Sequence, residues 1–209
     1  VLGRVVHDTG DRRCRRLFDD LVARVGPCNE PQPPIARRSL RDESGLTIFA
    51  MPKAYDGHIG TIQRNAIRSW ARLDPAPEIL LFGDEPGIRE MAEEVGARHI
   101  PHVDRNEFGT PLVNKLFEAA QAHASHEIMA YVNADMILFR EFADGVRKVR
   151  TELDRFLLIG QRWDIPILEE INFRQPGWQR WLQEQMEEHA MLHAECGLDY
   201  FVFPKGLYR

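Results

Sequence analysis

The chain has 209 residues, 44% of them hydrophobic and 28% charged, with a formal net charge of -5. This is enough apolar material for one substantial core and marks a soluble globular protein, most simply one domain plus extras. The negative balance leaves no electrostatic footprint for nucleic acid, and no run approaches the ~20 apolar residues of a membrane span.

Arg12, Arg13, Arg15 and Arg16 make a local basic cluster near the start, read as an ordinary solvated face. Cys14, Cys28 and Cys196 are too few and too scattered for a disulfide framework or a four-ligand zinc site. A reducing compartment, hence the cytoplasm, is the expectation. The start has no apolar core like that of a signal peptide, although Val1 in place of Met leaves a lost targeting segment open.

Residues 1–44 are Arg-rich and polar, with a short helical candidate at 17–25 and a breaker at Pro31-Gln-Pro-Pro34. They read as a partly irregular N-terminal extension. From residue 46 the pattern becomes regular. Leu46-Thr-Ile-Phe-Ala-Met51 is an apolar, β-rich run ended by Pro52 and the Asp56-Gly57 turn, which predicts the first strand. Ile59, Ile62, Ala66, Ile67, Trp70 and Ala71 then recur with helical spacing, predicting a helix that ends near Leu73 before Pro75 and Pro77. Glu78-Ile-Leu-Leu-Phe82 predicts the second strand, closed by Gly83-Asp84. Ile88, Met91, Ala92 and Val95 predict a second helix, stopped by Gly96 in a left-handed cap. A third strand is expected over 98–103, a helix over 112–124 after Gly109-Thr-Pro111, and a fourth strand over 128–132. Beyond Leu138 the pattern gives a helix near 142–153, a strand at 156–160, a helix from Pro176-Gly-Trp178 and a strand at 200–203. Strands alternating with helices of this length imply an α/β fold with a mostly parallel sheet and helices on both faces.

In such sheets ligands collect beyond the C-terminal strand ends. Those ends carry Pro52-Lys53-Ala-Tyr-Asp-Gly57, Gly83-Asp84-Glu85 and Asn133-Ala134-Asp135. Residues two apart on an extended chain point to the same side, so the oxygens of Asn133 and Asp135 can converge on one hard cation. With Lys53 and helix-terminal N–H groups, a metal there would neutralise a diphosphate. Neither a dinucleotide fingerprint nor a Walker loop follows the first strand. Structural alternatives stand beside each reading: an Asx turn at 133–135, helix capping by Asp84, a solvated Lys53, and Asn114 with Lys115 merely opening a helix. Asp164 could hold a sugar beside Trp163 or pair with Arg162. Asp199, opening a β-rich run after Gly197, could reach the sugar site as base or holder, or bond nearby backbone N–H groups. Trp178 and Trp181 are read as packing. His189 and His193 lie four apart with no surrounding H-E-x-x-H, so no zinc site is expected.

The series Thr47-Ile-Phe-Ala-Met-Pro52, Phe82-Gly-Asp84, Gly109-Thr-Pro-Leu-Val-Asn114, Tyr131-Val-Asn-Ala-Asp135 and Gly197-Leu-Asp-Tyr-Phe-Val-Phe-Pro204 resembles the nucleotide-diphospho-sugar transferases of GT-A (Rossmann-like) fold, close to glycosyltransferase family 2, over residues 45–209. The resemblance implies transfer of a sugar from a nucleoside-diphosphate sugar to the hydroxyl of a glycan or small-molecule acceptor, with Mn2+ or Mg2+. It implies Asp84 on the nucleoside and Asn133 and Asp135 on the metal or sugar-phosphate; taken with the strand-end reading, Pro52, Lys53, Asp84, Asn114, Asn133, Ala134 and Asp164 are the expected nucleotide-sugar residues, Asp135 and Asn133 the metal ligands, and Asp199 the catalytic candidate. Asn133 departs from the acidic first position of the family's metal motif, which removes one charge from the metal shell and lowers its affinity. Enzymes of this kind usually continue past the position of Arg209 and often carry the base there, so the domain is expected to be incomplete. A sugar-phosphate nucleotidyltransferase is the first alternative, although it calls for a glycine-rich basic loop where only Lys53 and two spaced glycines stand. A non-catalytic nucleotide-sugar-binding module is the second.

Overall fold

The computed structural model describes residues 45–194 and 198–207 in full and the backbone of 3–6. The helical candidate at 17–25, the basic cluster, Pro31 to Pro34 and all three cysteines lie outside the described residues. The first regular unit is β2 (Leu46–Ala50), α1 (Gly57–Trp70), β3 (Glu78–Phe82), α2 (Ile88–Val95), β4 (Arg98–Ile100), α3 (Val113–His123) and β5 (Ile128–Val132). After it come β6 (Met136–Leu138), α4 (Arg140–Glu152), β7 (Trp163–Ile165), α5 (Trp178–His189), β8 (Met191–Leu192) and β9 (Tyr200–Pro204), while β1 (Gly3–Val6) precedes everything.

The principal sheet has the order β4-β3-β2-β5-β9, parallel except for β9, which runs antiparallel against β5. Neighbouring side chains on its strands go to opposite faces, and both faces are dry. Ile48, Ala50, Leu81, Ala130 and Val132 pack against Ala66, Ile67 and Trp70 of α1, Met91 of α2 and Phe142 of α4. Phe49, Leu80, Phe82, Met129 and Phe203 pack on the opposite face with Leu116 and Ala120 of α3. This is the mostly parallel, doubly covered sheet that the element order predicts. Gly96 ends α2 at φ 70°, the left-handed cap expected of it. No helix among the described residues is long and apolar enough to cross a membrane.

Three expectations change. The strand predicted at 156–160 reduces to one bridge, Leu158 to Val202, and at Gly160 the chain passes Tyr200 so closely that a Cβ there would lie 1.8 Å from the phenol oxygen. The third strand stops at Ile100, where Pro101 has no N–H to continue the ladder. A second sheet, β6-β1-β7-β8, exists where none was predicted, and it draws Gly3–Val6 from within the supposed extension. Its strands are only two to four residues long, too short to show a period.

Helix α1 fastens the second sheet to the first. Trp70, fully buried, donates its Nε1–H to the Met136 carbonyl at 2.6 Å, and the Leu138 N–H donates to Ser69 Oγ at 2.9 Å. Replacing Trp70 by Phe leaves that buried carbonyl without its donor and opens a small void. Urea unfolding of Trp70→Phe is expected to show a loss of about 1–3 kcal/mol, and an unchanged midpoint would refute this account of the docking.

Candidate functional site

The C-terminal end of β5 is the centre of the site. Val132 pairs with Tyr200 across the β5–β9 ladder, so the next residues outward, Asn133 and Asp199, meet, and the Asn133 N–H donates to the Asp199 carbonyl at 2.9 Å. The Met136 N–H returns to the Asn133 carbonyl at 3.1 Å, so residues 133–136 form a tight turn from β5 into β6. The extended i, i+2 geometry expected for Asn133 and Asp135 is therefore replaced by a turn. Ala134, half-buried, packs on the core at its tip.

The Asn133 side chain is held at both ends. Its Oδ1 accepts from Tyr131 Oη at 3.0 Å and its Nδ2 donates to Asp199 Oδ1 at 2.8 Å. Burial, with the negative charges of Asp135 and Asp199 adding to it, pushes the Tyr131 phenol above its ordinary range and keeps it a donor. Asp199 is only 4% exposed, and its second oxygen accepts from Nη1 of Arg162, itself 7% exposed. Arg162 Nε donates to Asp164 Oδ1 at 2.9 Å, and Asp164 Oδ2 lies 2.6 Å from Nδ1 of His193. Arg162 Nη2 is 3.0 Å from both ring nitrogens of His193. One buried guanidinium thus joins two carboxylates and an imidazole. Burial alone would raise the Asp164 carboxyl, but the hydrogen bonds from Arg162 and His193 outweigh it and hold the group below the usual carboxylate range.

The other expected residues lie along the same sheet edge. Pro52 is buried, and the Lys53 backbone is locked to the buried Gln63 by two hydrogen bonds, N–H to Oε1 at 2.7 Å and Nε2–H to the carbonyl at 2.9 Å, which leave the Lys53 side chain exposed. The Tyr55 N–H donates to the Pro86 carbonyl at 2.9 Å and ties the loop after β2 to the loop after β3. Asp84 stands at the end of β3 with its side chain 75% exposed, 3.4 Å from Arg105, which also binds Glu85 at 2.8 Å. Asp84, His102, Arg105 and Leu112 line a cleft of about 490 Å³. Asn114 is exposed in the first turn of α3, two residues past Leu112. The α2 helix takes no side-chain cap, so Asp84 does not cap it.

The structure therefore brings Asn133, Asp164 and Asp199 into one hydrogen-bonded cluster. Pro52, Lys53 and Asp84 stand on the loops after β2 and β3, and Asn114 in the first turn of α3. The Arg162–Asp164 pair weighed from the sequence forms, with Arg162 buried and Asp164 half-buried. Asp199 is not poised as an open base, because both its oxygens already accept from Asn133 and Arg162. His193 leaves the helix that carries His189 and joins Asp164 instead, which dissolves the i, i+4 pair. Gln63, Tyr131 and Arg105 were not foreseen, since no spacing in the chain marks them and only the fold places them here.

A cation can be tested against these groups. Among the described residues no cluster of three His, Cys, Asp or Glu side chains could hold a metal by itself. Asp199 is taken by Arg162, so the oxygen donors to weigh at the turn are the Asp135 carboxylate and Asn133 Oδ1. That donor set fits a hard cation bound jointly with phosphate oxygens, and does not fit an all-protein cage.

No family model and no curated protein matches the chain. Solved structures share parts of it. TarS 1–349 of S. aureus is 14% identical with a TM-score of 0.41, over 55% of this chain and 34% of that one. A cytidylyltransferase from Leptospira borgpetersenii is 13% identical with a TM-score of 0.45, over 78% and 60%. Glucosyl-3-phosphoglycerate synthase from Mycobacterium tuberculosis, in complex with Mn2+, UDP and glucosyl-3-phosphoglycerate, is 14% identical with a TM-score of 0.30, over 43% and 33%. The chain spans between a third and three fifths of the length of these structures.

Removing the buried guanidinium would strand two carboxylates. Arg162→Met is expected to cost about 3–5 kcal/mol in chemical unfolding, and a loss under about 1 kcal/mol would show that the cluster is solvated after all. The pH dependence follows from depressed carboxyls. Burial would raise Glu78, yet hydrogen bonds from Thr47 and Ser125 bring it below its ordinary value, as Arg162 and His193 do for Asp164. Both groups stabilise the fold above their unfolded pKa of about 4 and lose that contribution as the pH falls through their lower folded values. Thermal midpoints are expected to hold level above about pH 5 and to drop below about pH 4, with a shallower drop in Asp164→Asn.

Proposed function

We propose that the C-terminal edge of the principal sheet binds a nucleoside-diphosphate sugar and that the chain transfers its sugar to an acceptor hydroxyl. The observation that carries this reading is the Asn133-Ala134-Asp135 turn at the end of β5, held by Asp199 and next to the β2 loop bearing Lys53, which in turn adjoins the β3 loop bearing Asp84. The C-terminal strand ends are where open parallel sheets take their ligands.

In this reading the nucleoside lies in the cleft along Asp84, with Asn114 at its rim and the Pro52-Lys53 segment on the ribose and phosphate side. Gln63 fixes that segment before the ligand arrives, so little ordering is needed on binding. Asp135 and Asn133 Oδ1 would hold a divalent cation together with the diphosphate, and the cation's chemistry is to neutralise the departing diphosphate. Asp164 acts through Arg162, keeping the guanidinium against Asp199. For Asp199 to take the acceptor proton it must release one of its two hydrogen bonds. The simpler role in this geometry is to orient the Asn133 amide.

Calorimetric titration with UDP, CDP, GDP and ADP, with and without Mn2+, tests the reading. One diphosphate is expected to bind, more tightly with Mn2+, while Mn2+ alone gives no measurable heat. Asp135→Ala is expected to weaken the Mn2+-dependent binding by about 10–100-fold. Absence of binding by any diphosphate under either condition would overturn the proposal. Formation of a sugar nucleotide from a nucleoside triphosphate and a sugar phosphate would assign the nucleotidyltransferase reaction instead, and binding without any turnover would mark a binding module.

A further inference from the structure

Asp164 and Ile165 are consecutive on β7 and so face opposite ways. Asp164 joins the Arg162 cluster, whereas Ile165 lines a second concavity of about 550 Å³ between residues 165–172 and helix α5. None of the expected site residues belongs to it.

Its loop wall is built before any ligand arrives. Asn65 of α1, 1% exposed, donates to the Glu169 carbonyl at 2.9 Å and accepts from the Ile171 N–H at 2.8 Å. Arg64 and Arg68 each hold Glu170 at 2.6 Å. The opposite wall is anchored by Trp178, stacked on Phe139 at 6.0 Å and edge-on to Phe173 at 4.7 Å. One turn further along, Trp181 remains 46% exposed in the same cleft, and Leu168 across from it is 73% exposed.

The lining restricts what can occupy this space. It contains Glu169 and Glu170 and neither Lys nor Arg, which disfavours a phosphate, a nucleotide or an acidic lipid. Asn172, Gln175 and Gln185 also line it, and a wholly apolar occupant would cover their amides without satisfying them. Each amide offers both donor and acceptor, which suits hydroxyl groups that are both as well. A pyranose supplies hydroxyls on its edge and an apolar C–H face for an indole. The volume falls within the ~300–1,000 Å³ usual for small-molecule sites.

We infer that this cleft binds a neutral saccharide, with Trp181 as its stacking platform and Gln185 among its hydrogen-bonding groups. Joined to the proposed function, it is the acceptor site of the transfer. That last step rests on the donor reading, whereas saccharide binding itself does not.

Titration of the full chain with maltotriose, cellotriose and triacetylchitotriose, followed by tryptophan fluorescence and calorimetry, tests the inference. At least one saccharide is expected to bind. Trp181→Ala is expected to weaken it by about tenfold and Gln185→Leu by about fivefold, with nucleoside-diphosphate binding unchanged in both. Failure of all three saccharides to bind, or full affinity in Trp181→Ala, overturns the inference. So does a concentration-dependent dimer that Trp181→Ala abolishes without any saccharide binding, since the occupant would then be a second copy of the chain. Trp181-dependent saccharide binding by a protein that takes no nucleoside diphosphate upholds the site and removes only the donor reading.

Discussion

The placement of Arg162 is the constraint on which the rest of the candidate site depends. A guanidinium 7% exposed cannot be left unpaired, because its charge is permanent and its five donors keep a fixed fork. Asp164 on β7 and Asp199, the residue before β9, supply the two carboxylates from the two different sheets. Satisfying one cation therefore fixes the approach of β7 to the start of β9. Through Asp199 it also fixes the rotation of the Asn133 amide, so the most ligand-like turn in the molecule has its orientation set by a residue nearly thirty positions downstream. Such buried pairs do not by themselves make a fold more stable than an apolar packing of equal volume. Their contribution here is geometric.

A consequence concerns charge at the sheet edge. Two nearby acidic groups would ordinarily prepare a site for a cation, yet one of them is already matched internally. At the turn itself stand the Asp135 carboxylate and the neutral Asn133 amide. The edge is thus less acidic than the sequence suggests, with Lys53 exposed on the adjoining loop. Neutral Asn133 and the paired Asp199 lower the repulsion that an anion would meet there.

The principal sheet could be read from the chain because its strands and helices are long enough to show a period and are punctuated by Pro and Gly. β3 and β5 occupy the predicted residues, and Gly96 stops α2 where a left-handed cap was expected. The second sheet could not, since strands of two to four residues carry no alternation that distinguishes them from loop. The site was half legible for a related reason. Asn133 and Asp199 stand at element ends, where the order of strands singles them out. The partners Tyr131 and His193, and Gln63 behind Lys53, are ordinary residues made relevant by register alone. His193 shows the limit best, because a helical period assigned it to His189 while the chain had already left the helix.

The turn at residues 133–136 is the shortest covalent link between the two sheets, for β5 belongs to one and β6 to the other. Two rigid layers joined by so short a tether, and pinned again by Trp70 and Ser69 of α1, have little freedom to slide. Whatever grips Asn133 and Asp135 grips the seam itself, so its binding free energy also opposes separation of the layers. Occupancy of the edge and cohesion of the two sheets are in this way one linked equilibrium.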